Sequence, residues 1–305
     1  ALPLYLLWST AGALLVLGAL LHSALYAKGF TKAQESGERW VKESMFSSLF
    51  KKMLTPLGLV RRELVLKEVR LFFRDTTQWS QLILLTVLVV VYIFNIKFLP
   101  LRGEGITFFV SNLIPFLNLV LAGFVLASIA ARFIFPGVSL EGRTMWLLRS
   151  SPLAMRELLW SKFWVGTIPL LFFALGLVVI TGMLMQVSPF IMGVSVLTIT
   201  MMTFAIAGLA VGFGTLFPRF GTENAAQIPT SFGGLLFMMA AIAVIGAVIT
   251  LEARPVFSYL AAETFGTPRD PREMILGFGL AAALCTAATL IPIRIARKRL
   301  ETLEA

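Results

Sequence analysis

RFIFPGVSLEGRTMWLLRSSPLAMRELLWSK, residues 132–162, is a polar island between two apolar runs, 108–131 and 163–186. It carries five basic and two acidic side chains. A bilayer's hydrocarbon core is crossed by about 20 apolar residues in a helix, and both flanking runs are long enough. Further runs of that length lie at 3–26, 81–99, 190–216, 232–251 and 274–293. The chain is 58% hydrophobic and 14% charged, whereas about a quarter of the residues in a globular domain are charged. This pattern predicts an all-α, polytopic transmembrane helix bundle of about seven spans. None of these spans has Asp, Glu or Arg at its centre.

Orientation follows from Lys and Arg, which accumulate in cytoplasmic loops. Segments 27–80, 132–162, 217–231 and 294–305 together hold 21 of the 26 basic residues. The other side keeps Lys97, Arg102, Arg254, Arg269 and Arg272, balanced by five acids. The formal charge of +10 therefore lies on the first side, which is expected to be cytoplasmic. Topology and anionic lipid headgroups account for this charge, so no nucleic-acid partner is expected. One cysteine, Cys285, and one histidine, His22, both inside apolar runs, exclude a disulfide framework and a Cys/His metal site. The chain opens almost directly in an apolar run, with no basic region before it. An N-terminal part is expected to precede Ala1; a mature chain begun after removal of an initiator Met fits the same residues.

Three divisions result: a first span over 1–26, a cytoplasmic linker and amphipathic helix over 27–80, and six spans over 81–305. In the linker, Leu57, Val60, Leu64 and Leu71 share a face with Val65, Val69 and Phe72. Glu63, Lys67, Arg70 and Arg74 form another, the pattern of an interfacial helix touching membrane lipids. Glu63 to Lys67 has the spacing of a favourable helical ion pair. A plain juxtamembrane anchor fits the same residues. Gly208 and Gly212 form a GxxxG pair suited to close helix packing, and Pro115 and Pro169 are expected to kink their spans. The long connection 252–273 has room for one or two short helices. No GxxxxGK[ST] occurs anywhere, so any ATP used is expected, with its Mg, on another chain.

Within the island, Pro136 and Gly137 end the preceding span. Ser139 is a candidate N-cap with Glu141 in the first turn, for a helix running through Trp146 to Arg149. Ser151 and Pro152 then restart a helix carrying Arg156, Glu157 and Trp160. Trp and Arg are enriched at binding hot spots; interfacial anchoring and ordinary positive-inside placement explain the same residues. Phe217, Pro218 and Glu223 repeat the spacing of Phe135, Pro136 and Glu141, which suggests a second, smaller contact at Arg219, Glu223 and Asn224.

The runs VLKEVRLFFRDTTQWSQ, FPGVSLEGRTMWLLRSSPL followed by KFW, and FPRFGTENAAQIPTSFGG resemble those of bacterial ABC-2-type transporter permeases. The resemblance covers nearly the whole chain and implies the C-terminal half of a longer permease, with the last span of a missing N-terminal half at 1–26. It implies a six-span ABC-2-type half with a connector helix (Glu63, Lys67, Arg70, Arg74) and a coupling helix over 139–150. That helix would dock on a separate ATPase subunit through Glu141, Arg143, Trp146 and Arg149. It further implies a multi-pass exporter subunit of the bacterial cytoplasmic membrane, with a cytoplasmic C-terminus, no catalytic residues and no cofactor of its own. An ion-coupled secondary transporter is the first competing reading, and a lipid-modifying intramembrane enzyme the second. The first wants ionisable residues at the midplane; the second wants a nucleophile, base or metal near the interface.

Overall fold

The computed structural model of the protein describes residues 8–9, 11–13, 15–24, 26, 58–74, 76–97, 108–145, 150, 154–221, 225–266 and 271–302. The chain divides into two units, Ala1–Leu54 and Thr55–Ala305. In the first, the described residues include an apolar helix, Ala11–Ala24. There the rings of His22 and Tyr26 lie 4.6 Å apart.

The described residues of the second unit include the helices α1 (Leu59–Arg74), α2 (Thr76–Lys97), α3 (Phe108–Phe133), α4 (Met155–Met185), α5 (Pro189–Leu216), α6 (Phe232–Phe265) and α7 (Pro271–Thr302). Short 3-10 turns lie at Phe135–Gly137, Ser139–Thr144 and Ala225–Gln227. Helix is what such sequences demand, because no water in hydrocarbon is present to satisfy peptide groups. Helices α3 to α7 are long and apolar enough to cross a membrane, while α2 contributes a shorter apolar stretch, Ser80–Ile96. The fold is an all-α polytopic membrane bundle.

Helix α5 is the most enclosed of the five long helices and packs on α3, α4, α6 and α7. Ile199, Met202, Ala205 and Ile206 are fully buried along it. Its small residues let α7 approach closely: a Cβ on Gly208 would lie 2.6 Å from the Thr289 Cα, and one on Gly212 would strike Pro292. Close backbone approach of this kind replaces the hydrophobic drive that lipid cannot supply. The outward faces of α2, α4, α6 and α7 expose large apolar side chains, among them Phe94, Phe172, Met239 and Ile275.

Local chemistry sets the helix ends. Gln186 ends α4 in the left-handed region (φ 52°), and the Val187 N–H returns to the Gly182 carbonyl. Ser188 then caps α5, its hydroxyl accepting from the Ile191 N–H, with Pro189 in the first turn. Ser231 caps α6 in the same way through the Gly234 N–H.

Three expectations change. The connection expected over 252–273 is helical to Phe265, so α6 is one helix of 34 residues with Pro255 inside it. Proline does not stop a helix whose freed backbone groups are covered by neighbours. Arg156, Glu157 and Trp160 belong to α4 itself rather than to a separate short helix. Ser139 starts a 3-10 turn with no side-chain cap, because its hydroxyl accepts from the Arg219 N–H at 3.1 Å. Pro115 and Pro169 both lie inside their helices, α3 and α4.

Candidate functional site: a chain of ion pairs at one end of the bundle

Four charged side chains from three separate elements meet where α1 crosses the base of α4. Lys67 Nζ donates to Glu141 Oε2 at 2.6 Å. Lys162 Nζ donates to the other oxygen, Oε1, at 2.8 Å, and to Glu68 Oε1 at 2.6 Å. The charges alternate along this chain and sum to zero. Glu141 and Lys162 are buried, with side chains 4% and 6% exposed; Glu68 and Lys67 lie toward the rim. Each buried charge thus has two partners of opposite sign. That is the condition under which burial of ions is tolerated, whereas removing one partner typically costs about 3–5 kcal/mol.

Sequence explains how each member arrives. Glu68 lies four residues after Leu64 and three before Leu71, so it stands on the face of α1 that otherwise looks apolar. On the same helix Leu66 is buried. Lys162 is in the second turn of α4, between buried Leu158, Leu159 and Phe163. Glu141 is carried by the 3-10 turn, which breaks at Gly142 (φ 8°, ψ −89°). A Cβ at Gly142 would sit 3.0 Å from the Phe220 carbonyl oxygen.

The two turns that follow α3 and α5 form one platform. Ser139 and Arg219 bond across them, and Gly142 lies against Phe220. Phe135 is buried and stacks on Phe237 of α6 at 5.8 Å. Phe217 packs edge-on to Phe232 at 6.0 Å, also on α6. Leu140 and Phe220 remain 45% and 39% exposed, so the platform presents apolar surface.

The predicted site residues distribute unevenly over this arrangement. Glu141 points inward, its carboxylate held between two lysines. Lys67 belongs to the chain of ion pairs and not to a Glu63 pair; Glu63 instead meets Arg62 at 3.3 Å. Buried Glu141 is the stronger partner, because a solvent-exposed pair gains little. Arg70 is exposed on α1, and Arg219 is exposed on the platform. Arg143 and Arg74 lie within helical segments, while Trp146, Arg149, Glu223 and Asn224, like Ser151 and Pro152, fall outside the described residues. Gly208 and Gly212 stand at the α5–α7 contact. Glu68 and Lys162 were not anticipated. Their signal is an ionisable residue on an otherwise apolar helix face. Nor was Glu252, which the longer α6 carries into the bundle with 0% exposure. Among the described residues no cluster of His, Cys, Asp or Glu is placed to hold a metal ion.

These features define a multi-span membrane protein whose neutralised charge chain ties a peripheral helix to the root of a span. The chain belongs to the family described as putative ATP-binding cassette, whose model matches residues 1–305. No curated protein and no solved structure matches it.

Proposed function

We propose that the chain is the permease subunit of an ATP-binding cassette exporter in a bacterial cytoplasmic membrane, driven by a separate ATPase subunit that carries ATP and Mg. The observation that carries this reading is the Lys67–Glu141–Lys162–Glu68 chain in a member of this family. It links a surface turn, a helix at the bundle's end and a membrane helix through buried bonds. The family's description names a nucleotide cassette, but the sequence has no GxxxxGK[ST] and membrane-length helices fill most of the described chain. ATP is therefore assigned to a partner.

In this reading the platform of Leu140, Arg219 and Phe220 receives the ATPase, and Arg143, Trp146 and Arg149 are assigned to the same contact from the sequence. Glu141 acts one step further in. Displacement of its turn moves Lys162 with α4, and Glu68 with α1, because separating them would strand buried charges. The ATPase biases the bundle by binding its two arrangements unequally. Glu63 and Arg70 face lipid headgroups or the same partner.

Purification of the tagged chain from its native membranes tests the reading. A co-purifying chain with Walker motifs is expected, and Leu140→Asp with Phe220→Asp should lower its recovery at least tenfold while the permease stays monodisperse. Absence of such an ATPase, or recovery unchanged by both substitutions, would sink it. An ion-coupled transporter is the second reading, favoured by one observation: Glu252 places an acid inside the bundle.

A further inference from the structure

Glu252 lies on α6 where that helix meets α5 and α7, and none of its surface is exposed. Its Oε2 accepts the Thr198 hydroxyl at 2.6 Å. Oε1 has no hydrogen-bond partner among the described residues. A bare carboxylate in such surroundings is too costly to persist, so it must take up a positive charge.

Among the described residues no lysine or arginine is bonded to it. Helix α5 contains no ionisable side chain, and the single charged residue of α3, Arg132, is in its last turn. Helix α7 contributes the buried thiol of Cys285, and its cations, Arg272, Arg294, Arg297, Lys298 and Arg299, stand in its first turn and its last third. On α6 itself, Arg254 is 81% exposed and bonds Glu273 at 2.6 Å.

The backbone frees a carbonyl oxygen at the adjoining residue. Pro255 has no N–H to give to the Leu251 carbonyl one turn earlier. Helix α7 closes on that point, where a Cβ at Gly277 would lie 2.9 Å from the Leu251 oxygen. A cleft comes within one turn of Thr198. Ser195 stands one turn before Thr198 on the same side of α5, and with Asn118 and Thr181 it lines a cleft between α3, α4 and α5.

We propose that Glu252 and Thr198 form a binding site for one small monovalent cation, a proton or a sodium ion, loaded through the cleft lined by Asn118, Thr181 and Ser195. The site lies in the membrane bundle and is independent of the ATPase assignment. Ionisable residues inside a membrane bundle mark ion pathways and proton relays.

The test compares the wild-type chain, Glu252→Gln and Thr198→Val in lipid nanodiscs, in choline and in sodium buffer. If the occupant is a proton, infrared spectra show a carboxylic-acid carbonyl band in both buffers. That band is lost in Glu252→Gln and moves to higher frequency in Thr198→Val. If it is sodium, radiolabelled sodium binds in choline buffer at about one per chain. That binding is lost in Glu252→Gln and weakened roughly fivefold to tenfold in Thr198→Val, the worth of one hydrogen bond. Thr198→Val keeps the carboxyl, and so reads the site even if Glu252→Gln folds poorly. A wild-type chain showing neither signal, or a signal that Glu252→Gln retains, overturns the proposal.

Discussion

Glu141 and Glu252 are both buried carboxylates, one at the end of the bundle and one inside it, and they differ in company. Glu141 has a lysine on each oxygen, 2.6 and 2.8 Å away. Glu252 has a single threonine hydroxyl. The first is neutralised by the chain's own side chains and therefore fixes elements to one another. The second must draw its counter-charge from outside, and so is open to whatever the solution offers. One residue type thus gives a fastening in one place and a binding group in the other.

The largest effect should come from breaking the fastened region. Lys162→Met removes the cation shared by Glu141 and Glu68, and should cost about 3–5 kcal/mol in SDS-titrated mixed micelles. A loss below about 1 kcal/mol would mean that water already reaches the pair. Glu68→Gln, at the half-open rim of the same chain, keeps the hydrogen-bonding shape and should cost about 1–2 kcal/mol. Glu252→Gln should change stability by less than about 1 kcal/mol, since a neutral amide replaces a group already neutralised from outside. Should it cost as much as Lys162→Met, Glu252 has a fixed cationic partner and the contrast between the regions fails. Glu63→Gln, on the solvent-facing side of α1, should be smallest, below about 0.5 kcal/mol.

Much of the bundle was legible because apolar runs of membrane length carry their own structure. The GxxxG pair was legible too, as small residues four apart already define a surface. The pairing of Glu68 with Lys162 was not, because the two are 94 residues apart and periodicity records faces, not partners. Counting the charged stripe of α1 as Glu63, Lys67, Arg70 and Arg74 passed over Glu68, the acid on the apolar side, which is the residue that needs burial elsewhere. Ending a span at Leu251 treated Glu252, Arg254 and Pro255 as a stop. Neighbouring helices cover that stretch instead, and α6 continues. Ser139 was misread for a related reason: a capping side chain serves whichever N–H lies nearest, here that of Arg219 across a turn.

The left-handed Gln186 makes a stiff corner of the α4–α5 junction, and the Ser188 N–H just beyond it donates to Asn112 Oδ1 of α3 at 2.9 Å. From Lys162 to that corner α4 continues as one helix for about 36 Å along its axis. A tilt of about 5° set at its charged root would swing the far end by about 3 Å over the same length. Asn112 is thus the position where a small rotation at one surface of the membrane becomes a displacement the size of a water molecule at the other.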